Sequence, residues 1–258
     1  MKSVKEVANE YTESLISAVK ELKITPKLAV LYTIPDGPAE SYRKSIHKFA
    51  EKIGVEVTNI HVTSDDINLD EYDGYIALNP FPIVHRMKLN PDKDIEGIHP
   101  ENLKNLYYGM DIKNYPSTPM GIMMYLDAIK YEFEGTIATV VGKSNTVGRP
   151  MFYMLERRGC TCIQAHSHTR NLHELTKKSD LVVTAAGVPN LICKSMCAPF
   201  SLVIDAGFNV VHGKIYGDCN YGSFQNTLCD VTPVPGGIGL MTNVALFTNL
   251  INNLSEHS

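Results

Sequence analysis

No apolar stretch of the chain approaches the roughly 20 residues that a bilayer-spanning helix needs, so no membrane partner is expected. Basic runs are also missing and the formal net charge is −4, which gives no sign of a nucleic-acid partner. The opening MKSVKEVANEYTESLISAVKELK mixes acids and bases at helical spacing, unlike a secretory signal or an Arg-rich, acid-poor transit peptide. Internal repeats, low-complexity segments and long linkers are absent. The six cysteines (Cys160, Cys162, Cys193, Cys197, Cys219 and Cys229) lack the CxxC spacing of zinc sites. We read them as reduced, mostly buried thiols that hold no metal, in a cytoplasmic protein.

What is present suffices for a full core, since 44% of the 258 residues are hydrophobic, enough for one large domain or two smaller ones. An amphipathic helix opens the chain through Val4, Val7, Ala8, Tyr11, Leu15, Ala18, Val19 and Leu22. LAVLYTI (28–34) reads as a buried strand and PDGPAE as a turn. Ser41 to Ile53 reads as a helix closed by Gly54. VEVTNIHV and GYIALN are further strands, buried on both faces, joined by the polar SDDINLDEYD. From Pro119 the pattern restarts. TPMGIMMYLDAIKYE is a helix, TIATVVG a buried strand, MFYMLERRG a helix and TCIQAH a strand. NLHELTKKSD is a helix capped by Thr169 or Asn171, and LVVTAAG and LVIDAG are buried strands. This alternation predicts a Rossmann-type domain. A last helix runs from Thr242 to Leu254. The expected architecture is α/β in two domains, 1–119 plus 241–258 and 120–240, whose halves meet in a ligand cleft.

VVGKSNTVGRP (140–150) follows a strand and opens a helix, the context of a phosphate-cradling turn. Gly142 permits the tight turn and Gly148 close helix packing. The middle glycine of GxGxxG is Ser144 here, so a plain strand–helix turn is the competing reading. The next strand ends in TCIQAHSHTR, with no acid to take a ribose 2′-hydroxyl. His166, Ser167, His168, Thr169 and Arg170, with Lys143, suit a 2′-phosphate, favouring NADP while leaving NAD possible. The plainer reading of the two histidines is a solvated loop. NPFP (79–82) and the charge-dense PDKDIEGIHP (91–100) read as surface turns, and PSTPMG (116–121) as a helix entry. TPVPGGIGL (232–240) concentrates prolines and glycines as no regular element does. It reads as a rigid wall that brings backbone close to a ligand, or as a hinge without ligand contact.

Taken in order, PDKDIEGIHP, PSTPMG, VVGKSNTVGRP, HSHT, GDCNY and TPVPGGIGLMT resemble the methylenetetrahydrofolate dehydrogenase/cyclohydrolase family across about residues 26 to 250. The resemblance implies a folate-cleft domain, an NAD(P) domain, a C-terminal helix returning to the first domain, and a homodimer. It implies that Tyr42 and Lys48 are the catalytic candidates and, with Glu96, shape the folate site, with Pro80, Pro82, Pro235, Gly236 and Gly237 beside it. Gly142, Lys143, Ser144, Val147, Gly148, Ser167 and Thr169 would hold NADP, with Gly187 and Phe208 against its ring or ribose and Asp205 to Asn209 ending a strand nearby.

The chain departs from that pattern at the family's acid–base group, the lysine of Y-x-x-x-K. Tyr42 matches the tyrosine, but Ile46 stands four residues on. The segment after Pro38 is one residue short, and a slipped register would bring His47 there instead. Leu78 replaces the glutamine that supports the lysine, and Glu96 replaces an aspartate while keeping its charge. The expectation is an NADP-preferring methylenetetrahydrofolate dehydrogenase of one-carbon metabolism with weak or absent cyclohydrolase. The competitors are the ordinary bifunctional enzyme, a non-catalytic folate- or nucleotide-binding protein, and another Rossmann reductase acting on a small acid.

Overall fold

The computed structural model describes residues 2–34, 39–64 and 66–255. The chain divides into two compact units. One holds Ala8–Ser117 and the residues from Asn243 on, and the other the residues up to Val7 with Thr118–Thr242.

Helix α1 (Val4–Glu21) begins in a capping box, where Ser3 Oγ accepts from the Glu6 amide at 3.2 Å and the Glu6 carboxylate accepts from the Ser3 amide at 2.7 Å. After it come β1 (Lys27–Tyr32), α2 (Glu40–Ile53), β2 (Glu56–His61) and β3 (Gly74–Ala77). Short α3 (Ile83–Arg86) and α4 (Pro100–Tyr107) follow. The strands form a parallel sheet in the order β2-β1-β3. Central β1 is buried from Leu28 to Leu31, as a continuous apolar run requires. Strand β2, expected to be buried on both faces, is an edge strand and largely solvent-facing. Helix α2 ends where Gly54 adopts φ 86° and its amide returns to the Ala50 carbonyl at 2.9 Å. Pro35–Pro38 of the expected PDGPAE turn, and Asp65 of SDDINLDEYD, lie outside the described residues. The rest of that connection forms no helix.

The other unit begins in α5 (Ser117–Ala128), which stops short of the expected Glu132 where Lys130 takes a positive φ. It continues through β4 (Ile137–Val141), α6 (Gly148–Glu156), β5 (Thr161–Ala165), α7 (Leu172–Lys177), β6 (Leu181–Thr184) and β7 (Leu202–Asp205). An antiparallel ribbon, β8 (Asn209–Val211) and β9 (Lys214–Tyr216), precedes β10 (Asp230–Val231) and α8 (Ile238–Ser255). The main sheet is wholly parallel in the order β10-β7-β6-β4-β5. The chain runs outward from β4 to β5 on one side and to β6, β7 and β10 on the other. Between β4 and β6 it therefore has the topological switch point at which doubly wound sheets bind ligands.

Helix α8 starts about one turn before the expected Thr242, so the last residues of TPVPGGIGL are helical. From Asn243 on it belongs to the first unit. There Asn243 Nδ2 donates to Ser45 Oγ at 2.8 Å, Asn249 Nδ2 to the Ile95 and Tyr115 carbonyls at 2.9 Å each, and Asn253 Nδ2 to the Asp92 carbonyl at 2.9 Å. Phe247 stacks on Phe49.

Candidate functional sites

The carboxyl ends of β4, β5 and β6 share one sheet edge, and the predicted nucleotide residues gather there. The Gly142 amide donates to the Ala165 carbonyl at 2.8 Å, tying the end of β4 to that of β5. Gly142 has φ 132°, and a Cβ there would fall inside the Ala185 carbonyl after β6. A Cβ on Gly148 would fall inside the Gly142 carbonyl, so both glycines are needed for α6 to start this close to the sheet. Ser144 is no defect in the turn. Its Oγ accepts from the Val147 amide at 3.1 Å and the Gly148 amide at 3.3 Å, taking two donors that open α6. Lys143 and Ser144 are exposed, and Val147 is half-buried.

After β5 the expected cap is not found. Asn171 sits at the N-cap of α7 in the left-handed region with no side-chain cap bond. Thr169 instead braces the preceding turn, its Oγ1 accepting from the His166 amide at 2.8 Å. Ser167 and His168 are exposed and Thr169 half-buried, and no carboxylate occupies this turn. Gly187, after β6, has φ 68° and open space where a side chain would stand. Phe208 is exposed. An open glycine, exposed Lys143 and Ser144, and a tight turn at the switch point together fit a dinucleotide.

The sequence reading assigned no role to Asp218, although GDCNY was in view. Asp218 is fully buried and accepts from the Ala186, Gly187 and Val188 amides at 2.6, 3.2 and 3.0 Å. It also accepts from Thr184 Oγ1 at 3.1 Å and Asn209 Nδ2 at 2.9 Å. Asp205 does similar work beside it, taking the Gly207, Asp218 and Cys219 amides. These two carboxylates hold the loops that follow β6 and β7. In TPVPGGIGL, Pro235 and Gly236 are exposed, Gly236 has φ 91°, and Gly237 packs on the Pro233 carbonyl. All six cysteines are free.

In the first unit Tyr42 and Ile46 stand one turn apart on the same face of α2. Ile46 is 0% exposed and Leu78 is 4% exposed. His47 Nε2 meets Asn59 Oδ1 at 3.0 Å on β2, and Lys44 pairs with Glu40 at 3.4 Å. Lys48 is exposed and, six residues from Tyr42, lies on another face of the helix, so α2 does not bring this candidate pair together. A small pocket is lined by Tyr32, Ala39, Arg43, Leu78, Asn79 and Pro80 among others, and Pro82 is exposed at the start of α3.

PDKDIEGIHP is not the surface turn its charge suggests. Asp94 is fully buried, His99 nearly so, and Glu96 is largely enclosed. Asp94 Oδ2 accepts from the His99 amide at 2.5 Å. Burial pushes the Glu96 carboxyl up to about 8; Arg86 opposes that rise and Asp94 adds to it. Glu96 therefore does not simply keep an aspartate's charge, because at neutral pH it is mostly protonated. Burial, with Glu96 nearby, also raises the Tyr42 hydroxyl above its ordinary range. Arg86 escaped the sequence reading, since one arginine in a four-residue helix carries no pattern.

Residues 116–258 match the family described as tetrahydrofolate dehydrogenase/cyclohydrolase, NAD(P)-binding domain. The bifunctional protein FolD of Dictyoglomus thermophilum is 35% identical, over 99% of this chain and 96% of its own length. The crystal structure of the bifunctional FolD enzyme from Campylobacter jejuni superposes with a TM-score of 0.91 at 31% identity, covering 99% of this chain and 98% of that one. The Trypanosoma brucei FolD structure, complexed with NADP and inhibitor, shares the fold at 21% identity, with a TM-score of 0.90 over 100% of this chain and 97% of that one. No helix among the described residues is long and apolar enough to cross a membrane.

Proposed function

The chain belongs to the tetrahydrofolate dehydrogenase/cyclohydrolase family, and on that premise we propose that it oxidises 5,10-methylenetetrahydrofolate to 5,10-methenyltetrahydrofolate with NADP, hydrolysis to 10-formyltetrahydrofolate being weak or lost. The observation that carries the second half is the burial of Ile46 one turn after Tyr42, with apolar Leu78 also buried. Hydrolysis needs a group that activates water and moves a proton, and the family's lysine position holds a core side chain instead.

Oxidation makes no such demand. The folate methylene carbon gives up hydrogen with its electron pair, and the cation left behind is shared by the two flanking nitrogens. The nicotinamide supplies the hydride acceptor, and the protein's task is to hold and orient. Gly142, Lys143, Ser144, Val147 and Gly148 form the turn that would face the pyrophosphate, with Asp218 fixing the loop that carries Gly187. Ser167, Thr169 and Lys143, with no carboxylate after β5, favour a 2′-phosphate and hence NADP over NAD. Glu96 and Tyr42 would meet the pterin end of the substrate beside Pro80 and Pro82. Pro235, Gly236 and Gly237 would line its path with rigid backbone.

We also assign a homodimer. The β8–β9 ribbon exposes Val210, Ile215 and Tyr216, and a two-stranded ribbon has little stability by itself, so a second copy is the partner that fits. Sedimentation of the purified protein tests this. The catalytic reading is tested by reduction of NADP, and separately of NAD, on addition of methylenetetrahydrofolate. Folate-dependent reduction that is faster with NADP supports it; binding of either ligand without turnover refutes it.

A further inference from the structure

The pair formed by Arg86 and Glu96 carries a role that the family resemblance does not assign. Arg86 is 3% exposed. Its Nη2 donates to the Ala77 carbonyl at 2.7 Å, and its plane lies over the Phe81 ring. The other nitrogen, Nη1, makes no hydrogen bond and stands 3.9 Å from Glu96 Oε2, which is equally enclosed and makes none either. A guanidinium is not kept this dry without function or compensation, because desolvating a charge is expensive. The carboxyl group of Glu96 faces it at 3.9 Å, and Asp94 also feels its charge.

We propose that Arg86 is a positioning residue for folate recognition: it faces Oε2 of Glu96 and favours the anionic form of the carboxyl, the form that accepts the N–H donors of the reduced pterin. The inference rests on the reading of Glu96 as the pterin-binding residue. A pterin presents an amino group and a ring N–H on one edge, and an ionised carboxylate accepts both. A protonated glutamic acid offers one donor of its own and meets that edge poorly.

Four groups act on Glu96. Arg86 from α3 favours the anion, and Asp94 on the same loop opposes it. Tyr42 from α2 and Tyr75 from β3 feel the Glu96 charge, and both hydroxyls are held protonated, well above their ordinary range. Among the described residues, Arg86 is thus the cation that acts on Glu96. Removing it leaves burial and Asp94 unopposed, so Glu96 would ionise only at higher pH.

The test is the pH dependence of KM and kcat for methylenetetrahydrofolate in the full-length protein. In the wild type KM falls as pH rises towards about 8 and then levels, while kcat stays flat. Arg86→Gln moves the KM midpoint upward by about a unit or more, raising KM about tenfold per unit below it, with kcat preserved. Arg86→Lys keeps the charge and holds the midpoint near that of the wild type. Glu96→Gln raises KM and flattens its profile, and Arg86→Gln added to it restores no pH dependence. An unmoved midpoint in Arg86→Gln, or a KM profile that persists in Glu96→Gln, overturns the proposal. Should Arg86→Gln not fold, the Arg86→Lys and Glu96→Gln profiles still decide it. A wild type that shows no folate-dependent reduction overturns the functional reading itself, a result distinct from an unmoved midpoint.

Discussion

Gly148 begins helix α6 with its α-carbon pressed against the carbonyl of Gly142, leaving no room for a Cβ between them. The obstacle is backbone on both sides, so no side-chain rearrangement relieves it. Gly148→Ala must push α6 off the end of β4. We expect a loss of about 1–3 kcal/mol in stability, as for overpacked cores, and loss of detectable NADP binding by isothermal titration. Gly187→Ala is the control, since its side chain would enter open space and only the positive φ resists it. It is expected to lose about 1 kcal/mol and to fold normally.

Asp218 is expected to be among the most sensitive positions of the nucleotide unit. Asp218→Ala leaves three successive amides, of Ala186, Gly187 and Val188, without their acceptor in a buried site. Chemical denaturation should show a loss of about 3–5 kcal/mol, and Asp218→Asn a smaller one, because the amide retains one accepting oxygen.

Placing a lysine at position 46 should be costly. Ile46 is fully buried, so Ile46→Lys brings an ammonium into the core. We expect destabilisation of about 3 kcal/mol or more near neutral pH, against less than about 1.5 kcal/mol for Ile46→Met. Burial lowers the pKa of such a lysine in the folded state. Its penalty should therefore shrink as pH rises towards the ordinary lysine range, a trend that thermal melting across pH can follow.

Glu96 makes a separate prediction about stability. Its carboxyl titrates near 8 in the folded protein, far above the ordinary glutamate value, so between those two values the native state holds a proton that the unfolded chain releases. Stability from this group is present below the ordinary value and is lost as pH rises through about 8. Asp94, also raised by burial, acts in the same direction, and His99, lowered by burial, acts against it. The difference between wild type and Glu96→Gln isolates the group: the wild-type melting temperature should fall relative to the variant from pH 5 to about pH 8.5.

The central strands of both sheets were legible because parallel strands buried on two faces are unbroken apolar runs, as in LAVLY and TIATVV, whereas edge strand β2 is largely solvent-facing and two-residue β10 went unread. The nucleotide turn was legible in its end glycines and obscure in its middle, where a serine hydroxyl supplies hydrogen bonds that no glycine pattern registers. Helix α8 starts at Ile238, inside a glycine-rich stretch whose composition hides a helix start. The β8–β9 ribbon went unread although His212 and Gly213, both at positive φ, form a two-residue turn between Val211 and Lys214. Charge density misled at PDKDIEGIHP. Asp94 takes the His99 amide, His99 takes the Glu101 amide and Arg86 faces Glu96, and spacing alone does not reveal such partners.

The most direct measurement of the central claim is a time course with methylenetetrahydrofolate and NADP in which reduced cofactor and methenyltetrahydrofolate are followed separately by absorbance. On the proposed reading of buried Ile46 and Leu78, the two signals should rise together, and the methenyl species should then decay at the rate seen without protein. Reduced cofactor that accumulates while methenyltetrahydrofolate never does would contradict the account. It would mean that another group performs the hydrolysis.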